Sequence, residues 1–114
     1  MPSHESSAEK IATSSVEEEM DFACSLISDA IAEEGRAKPE KASELLQELT
    51  SYIQFRYVGE FELAVEYLAG FGTLFPRDSS RGQQFWSQLC WVAKKMELTS
   101  EEKAKLGFPD EKPA

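Results

Sequence analysis

The chain has 114 residues and a formal net charge of −9, and its composition is 41% hydrophobic and 29% charged. This length fits one domain with a core of its own, and the acidic balance argues against a protein whose main task is to hold nucleic-acid phosphates. No apolar run has the length of a signal peptide or a membrane span, so we expect a cytoplasmic protein with no membrane partner.

Charge is unevenly distributed along the chain. Residues 1–66 carry 15 acidic and 5 basic side chains, whereas residues 67–114 carry 6 acidic and 7 basic ones. The acidic half therefore offers an electrostatic field to a basic partner, which would speed association. A solvated helix surface that keeps the protein in solution explains the same asymmetry equally well.

The two ends of the chain are poor in apolar residues. We expect a flexible N-terminal tail over residues 1–14, a single helical domain over residues 15–108 and a flexible C-terminal tail over residues 109–114. His4 is the only histidine and lies in the first tail. The folded part therefore has no histidine to activate a serine or a cysteine.

The first helix begins at Ser15, because Ser15 and Glu18 fit a capping box in which each side chain satisfies a free backbone N–H group. Its apolar stripe contains Val16, Met20, Ala23, Ile27 and Ile31. Glu17, Glu18 and Glu19 occupy its first turn, where carboxylates oppose the positive end of the helix dipole. Gly35 is placed to end it.

A second helix follows Pro39, a residue that suits the first turn of a helix. One apolar face, which continues to Arg56, is expected to contain Ala42, Leu45, Leu46, Leu49, Tyr52 and Ile53. Glu44 and Glu48 lie on the other side. The pair Val58-Gly59 breaks or bends this helix. So short a break predicts that the next helix lies beside it, as a hairpin or a sharp corner.

The third helix lies between Gly59 and Pro76 and is the most apolar. The residues of its stripe are Phe61, Ala64, Val65, Leu68, Phe71 or Gly72, and Phe75. The carboxylates around its first turns are Glu60, Glu62 and Glu66. Two glycines near its end, Gly70 and Gly72, indicate either close helix packing or a frayed terminus.

A fourth helix starts at Ser79 or Ser80 and runs to about Met96 or Glu97. Its apolar positions are Phe85, Trp86, Leu89, Cys90, Val92, Ala93 and Met96. We expect its tryptophan side chains to be buried, although Trp91 lies off the main stripe and is the aromatic residue best placed for exposure at a partner surface. A second capping box, at Thr99 to Glu102, starts a short helix. The fold predicted is all-α: an irregular antiparallel bundle of four main helices plus a short C-terminal helix.

The sequence offers little chemistry for catalysis. It contains no phosphate loop, dinucleotide fingerprint or cluster of metal ligands, so we predict no catalytic, cofactor-binding or metal-binding residue. Glu62 and Glu66 share a helix face, but such a pair is far more often solvated than an acid–base pair. Cys24 and Cys90 lie in apolar helical patterns, which favours small buried residues over a disulfide. We therefore expect that the protein is not an enzyme.

The central stretch resembles the MafI-like immunity proteins, small helical inhibitors in bacterial polymorphic toxin systems. In that family a Gly-Glu pair precedes a helix containing Glu-Leu-Ala, and a final helix ends in Met and Leu. The matching residues, within residues 40–108, are Gly59, Glu60, Glu62, Leu63, Ala64, Glu66, Leu68, Leu89, Met96, Glu97 and Leu98. The chain departs from the pattern at Gly70-Phe71-Gly72, where the family has more acidic and polar residues, and in its N-terminal helix.

The resemblance implies a protein that binds and neutralises a cognate toxin domain, for which a basic nuclease is one candidate. By this analogy the binding surface contains Glu60, Glu62 and Glu66. The second choice is Glu17, Glu18 and Glu19. The alternative is a helical adaptor or regulator, including a phage-encoded inhibitor of a host nucleic-acid enzyme, which binds through an apolar groove or through Trp91. We expect no direct contact with nucleic acid, and the sequence leaves both a monomer and a homodimer open.

Overall fold

A computed structural model of the protein describes residues 15–76 and 78–109. Within those ranges five α-helices and one 3-10 turn occur and no strand does. The elements are α1 (Val16–Ala37), α2 (Pro39–Tyr57), α3 (Phe61–Phe71), the 3-10 turn Gly72–Leu74, α4 (Ser80–Lys95) and α5 (Ser100–Lys105). The predicted all-α class is confirmed. The tail expected over residues 1–14 lies outside the described residues, as do residues 110–114 of the C-terminal tail.

The helices pack as an irregular antiparallel bundle. α1 packs against α2 and α4, and α2 packs against α3. Gly35 lies beside Ala42 next to the one-residue connection between α1 and α2. Asp21 meets Arg56 at the far end of the same two helices. These two contacts fix the antiparallel direction, because low numbers on α1 pair with high numbers on α2.

The core runs through the four longer helices. Its largest fully buried side chains are Tyr52, Phe71, Phe85, Met20, Ile27, Leu68, Leu89, Val65 and Val92. Burial of a side chain of this size contributes about 1.5–3 kcal/mol. The apolar stripes predicted for α1, α3 and α4 supply most of these residues, so those stripes are confirmed.

The apolar face predicted for α2 is wrong at two positions. Leu45 and Tyr52 are buried, but Leu46 and Ile53 are 60% and 52% exposed. The physical reason is that α2 packs mainly against α1 and α3, which together cover a narrower sector than the apolar pattern occupies. Leu46 and Ile53 therefore lie on the outer side of the helix, on the same side as the exposed Tyr57.

The two glycines near the end of α3 have different surroundings. Gly72 is buried, and a β-carbon built on it would overlap the indole ring of Trp86. Gly70 is exposed, and a β-carbon there would meet nothing within 4 Å. Close packing therefore explains Gly72. The α-helix gives way to the 3-10 turn at Gly72, and α1 continues to Ala37, two residues beyond its predicted end.

Three helices end with the same backbone arrangement. Gly59, Glu97 and Gly107 follow α2, α4 and α5 and have φ values of 85°, 61° and 99°. After α4, the N–H groups of Glu97 and Leu98 donate back to carbonyl groups of the last turn, both at 3.0 Å. This is the Schellman arrangement, which satisfies carbonyl groups that the helix leaves free. The same pair of hydrogen bonds follows α2 and α5, so the chain turns sharply at the end of each of these three helices.

An aromatic cluster fixes the C-terminal segment against the bundle. The ring of Trp86 lies 5.3 Å from that of Phe85 and 5.9 Å from that of Phe108, measured between centroids. Phe108 is only 7% exposed, although it follows the last helix. Its burial holds α5 close to the start of α3, where the carboxylates singled out by the sequence lie.

Candidate partner-binding surface

The start of α3 presents three carboxylates to solvent. Gly59 turns the chain, and Glu60 is the N-cap residue of α3 but makes no capping hydrogen bond with its side chain. Glu62 lies in the first turn and Glu66 one turn later. All three glutamates are exposed. Their carboxylates are therefore available to a partner rather than used to hold the helix end.

These three carboxylates line one groove, between the first half of α3 and α5, which encloses about 740 Å³. We call it the α3–α5 groove. Its charged residues are Glu60, Glu62, Glu66, Glu102 and Lys105. Its apolar residues are Phe61, Leu63, Met96 and Leu106. The structure thus brings Glu60, Glu62 and Glu66 together in one groove, as the sequence predicted, and Glu102 is a fourth carboxylate in it. Glu102 also caps α5 by accepting a hydrogen bond from the N–H group of Thr99.

A second groove, of about 550 Å³, lies between α2 and α3. We call it the α2–α3 groove. Its charged residues are Glu34, Lys41, Glu44, Glu48 and Glu66. The rings of Phe55 and Tyr67 stack in it with centroids 5.7 Å apart. Leu63 and Glu66 line both grooves, so the two grooves form one continuous surface, named the acidic surface below.

The acidic surface concentrates the charge of the protein. Seven glutamates and two lysines line it, which gives −5 out of a formal net charge of −9. Glu34 also lies 3.3 Å from Lys38, in an exposed ion pair one helical turn apart. Leu63 is 39% exposed and stands among the carboxylates. An apolar centre with acidic edges suits lysine and arginine, whose stems are aliphatic and whose heads are cationic.

The second-choice carboxylates at the start of α1 are placed differently. Glu18 accepts the N–H of Ser15 at 2.9 Å, which completes the predicted capping box. Glu19 is only 9% exposed and accepts a hydrogen bond from Nε2 of Gln88 on α4, at 2.8 Å. Glu17 is partly exposed. These residues line neither groove, and two of them hold α1 in place.

Trp91 is 40% exposed, so its expected burial in the core is wrong. The ammonium groups of Lys94 and Lys95 lie 5.9 and 5.8 Å from the centroid of its ring. Contacts of this kind stabilise an exposed cation by about 0.5–1 kcal/mol. Trp91 lines neither groove, so the structure does not bring it together with the glutamates of the acidic surface.

A polar network joins α1 to α2 beside Cys24. Nε and Nη2 of Arg56 donate to the two carboxylate oxygens of Asp21, and the hydroxyl group of Tyr52 donates to the same carboxylate at 3.1 Å. The bond to Asp21 raises the pKa of Arg56, and burial raises the pKa of Tyr52. Burial also raises the pKa of the free Cys24 thiol, which makes it a poor nucleophile at neutral pH. Cys90 likewise forms no disulfide with any described residue.

Three of the seven glutamates of the acidic surface, Glu60, Glu62 and Glu66, were predicted from the sequence. Glu44 and Glu48 are one turn apart on the side of α2 away from its predicted apolar face. This spacing indicated that the two carboxylates share an exposed face of the helix. Glu34 and Glu102 lie on α1 and α5 and carry no local signal. Only the packing of the helices brings these two residues to the same surface as α3.

The described residues show two further absences. None of the helices within residues 15–76 and 78–109 combines the length and the apolar character that a bilayer crossing needs. The same residues include no group of three or more His, Cys, Asp or Glu side chains arranged to hold a metal ion.

No family model, curated protein or solved structure matches the chain.

Proposed function

We propose that this protein is an immunity protein, which binds a cognate bacterial toxin domain in the cytoplasm and neutralises it through the acidic surface. The observation that supports this proposal is that Glu60, Glu62 and Glu66, which carry the resemblance to the MafI-like family, line a single groove. A basic nuclease is the toxin class that best suits such a surface. The cations that hold nucleic-acid phosphates in its cleft would be neutralised by carboxylates.

Neutralisation by this route needs no reaction on the part of the inhibitor. Six of the seven glutamates of the acidic surface lie on, or at the start of, α1, α2 and α3, whose opposite sides are held in the core. Binding therefore needs no ordering of that backbone, and the entropy lost is mainly that of the glutamate side chains. Leu63 and Tyr67 lie among them and supply apolar contact area. Because that contact excludes water, the surrounding ion pairs become stronger than they are in bulk solvent.

The test is a titration of the protein into the toxin domain encoded beside its gene, with the activity of the toxin as a second readout. We expect one-to-one binding that weakens as salt screens the charges. The double variant Glu62→Lys with Glu66→Lys should bind about a hundredfold more weakly, since close interfacial charge pairs are commonly worth several kcal/mol. It should also fail to protect against the toxin while its circular dichroism spectrum stays unchanged. Because the lysine at position 62 would face the positive end of the α3 dipole, the free energy of unfolding should fall by no more than about 1 kcal/mol.

A matched control separates a local surface from the general field of an acidic protein. Asp29 and Asp78 are exposed and lie outside both grooves. The variant Asp29→Lys with Asp78→Lys has the same formal net charge as the first variant, −5 in place of −9. We expect it to bind the toxin with nearly wild-type affinity. Equal weakening in both double variants would contradict the acidic surface as the binding site.

A helical adaptor or regulator is the second candidate function, and the exposure of Trp91 favours it. Aromatic residues are enriched at the energetic centres of protein interfaces. This function predicts an interaction that persists at high salt, is lost in Trp91→Ala and is unaffected by lysine at positions 62 and 66. The two candidates therefore predict opposite outcomes for the same set of variants.

A further inference from the structure

The outer face of α2 is uncharged over most of its length. Leu46, Ile53 and Tyr57 recur at helical spacing and are 60%, 52% and 84% exposed. The residues between and beside them are Ser43, Gln47, Thr50, Ser51 and Gln54. The solvent side of a surface helix ordinarily carries charged residues, and 29% of this chain is charged. These eight residues, none of which is charged, are named the uncharged face.

Four of the five charged residues of α2 lie elsewhere on the helix, and the fifth, the exposed Glu40, lies in its first turn, three residues before the start of the uncharged face. Lys41, Glu44 and Glu48 line the α2–α3 groove, and Arg56 is bound to Asp21. The bundle thus separates the acidic surface from the uncharged face, although α2 contributes to both. Depletion of charge together with exposed aliphatic and tyrosine side chains is typical of the centre of a protein interface.

The two halves of the uncharged face differ in shape. The first half holds a shallow depression of about 490 Å³, lined by Ser43, Leu46, Gln47, Thr50 and Ser51. The second half carries Tyr57, the most exposed of the large apolar residues described. When two α2 helices pair in antiparallel fashion about a two-fold axis at Thr50, Tyr57 of each copy lies opposite Ser43 of the other. Each tyrosine then fills the depression of the other copy, as a self-complementary two-fold contact requires.

We propose that the uncharged face binds a second copy of this chain and forms a symmetric dimer through paired α2 helices. Charge favours this occupant, because each copy has a formal net charge of −9 and two copies repel wherever carboxylates face one another. The uncharged face is where the copies meet without that repulsion. It also offers no counter-charge to an acidic or a basic partner. This inference does not depend on the proposed toxin inhibition, and the pairing leaves the acidic surface of each copy open.

The small area of the paired α2 faces is typical of weak association. From Ser43 to Tyr57 the helix rises about 21 Å. Two such helix faces bury an area at the small end of specific interfaces, below about 1,200 Å² in total, which is typical of weak and reversible association. We therefore expect a dimer with micromolar affinity, whose population depends on protein concentration.

Sedimentation velocity over a range of concentrations tests the dimer. At about 100 µM a dimer with micromolar affinity is about nine-tenths formed, so the wild-type protein should sediment as a dimer there and as a monomer on dilution. Leu46→Glu places two carboxylates in the contact and should sediment as a monomer throughout. The control, Leu63→Glu, makes the same change on the acidic surface and should still form the dimer. Circular dichroism checks that both variants fold. A wild-type monomer at about 100 µM, or equal behaviour of the two variants, would overturn the proposal.

Cross-linking tests the position of the axis. In a chain whose Cys24 and Cys90 are replaced by serine, Thr50→Cys places one thiol per copy on the two-fold axis. Facing α-carbons roughly 4.4–6.8 Å apart allow a disulfide, so mild oxidation should give a covalent dimer. Ser87→Cys, at an exposed position of α4, should stay monomeric under the same oxidation. Equal yields of covalent dimer from the two variants would contradict the paired α2 helices.

Discussion

The guanidinium group of Arg56 on α2 donates two hydrogen bonds, of 2.8 and 2.7 Å, to the two carboxylate oxygens of Asp21 on α1. This contact closes the α1–α2 hairpin at the end opposite its connecting residue, Lys38. The Asp21 carboxylate also neutralises the guanidinium group of Arg56, which lies beside Ile53 and Tyr57 of the uncharged face. Because paired hydrogen bonds of this kind are directional, the contact fixes how far α2 slides along α1.

Loss of the Asp21 carboxylate should weaken the hairpin. We expect Asp21→Asn to lower the free energy of unfolding by about 1 kcal/mol, since the pair is partly exposed but has paired geometry and a third bond from Tyr52. Urea unfolding measures the change. Asp29→Asn, at an exposed position of the same helix, is the control and should leave the midpoint in place. Equal midpoints for the two variants would contradict a stabilising role for the pair.

Tyr52 should make the protein less stable at alkaline pH. Burial raises the pKa of Tyr52 above its ordinary value of 10, so the folded protein keeps a proton that the unfolded chain loses. The stability that results is complete below pH 10 and falls as the pH rises further. The difference in unfolding free energy between the wild type and Tyr52→Phe should therefore shrink as the pH rises from about 10 to about 11. Parallel pH profiles of the two proteins would contradict the prediction.

The two glycines near the end of α3 provide a matched pair of substitutions. Gly72→Ala should lower the free energy of unfolding by about 1–3 kcal/mol, because the added methyl group overlaps the indole ring of Trp86 in a packed core. Gly70→Ala should be neutral or stabilise by up to about 1 kcal/mol, because the same methyl group enters open space on a helix. Thermal unfolding compares them. The expectation fails if both substitutions shift the midpoint in the same direction by the same amount.

Glu97 stores backbone strain at the end of α4. Its φ of 61° lies in the left-handed region, where residues with a β-carbon are disfavoured. Glu97→Gly should raise the free energy of unfolding by about 1 kcal/mol. Glu97→Ala removes the same charge but keeps the β-carbon, so it should bring no such gain. Chemical unfolding of both variants separates the two causes, and an equal gain in both would point to charge rather than to backbone conformation.

Helix boundaries were predictable where the signal lies within a few residues. The capping box of Ser15 and Glu18 and the glycine at position 59 occur where the sequence placed them. Glu97 shows the limit of such signals, because it ends α4 in the conformation that glycine favours without being glycine. Where the surrounding packing forces the backbone to reverse, the residue at that position need not be glycine, and the sequence then does not reveal the turn.

Surfaces were harder to predict than helices. Glu62 and Glu66 are one helical turn apart on α3 and line the same groove. Glu102 lies on α5 and lines that groove because the packing of Phe108 against Trp86 places α5 beside α3. Leu46 has the spacing of a buried residue and is exposed because none of the described helices covers that side of α2. The apolar pattern shows what a helix is able to bury. The arrangement of its neighbours decides what it does bury.

The decisive measurement is the affinity of three proteins for the toxin domain encoded beside the gene, determined at low and at high salt. The proteins are the wild type, Glu62→Lys with Glu66→Lys, and Asp29→Lys with Asp78→Lys. Inhibition through the acidic surface predicts salt-sensitive one-to-one binding for the wild type, nearly the same affinity for the aspartate variant, and about a hundredfold loss for the glutamate variant alone. Binding that is insensitive to salt and equal in all three proteins would contradict it.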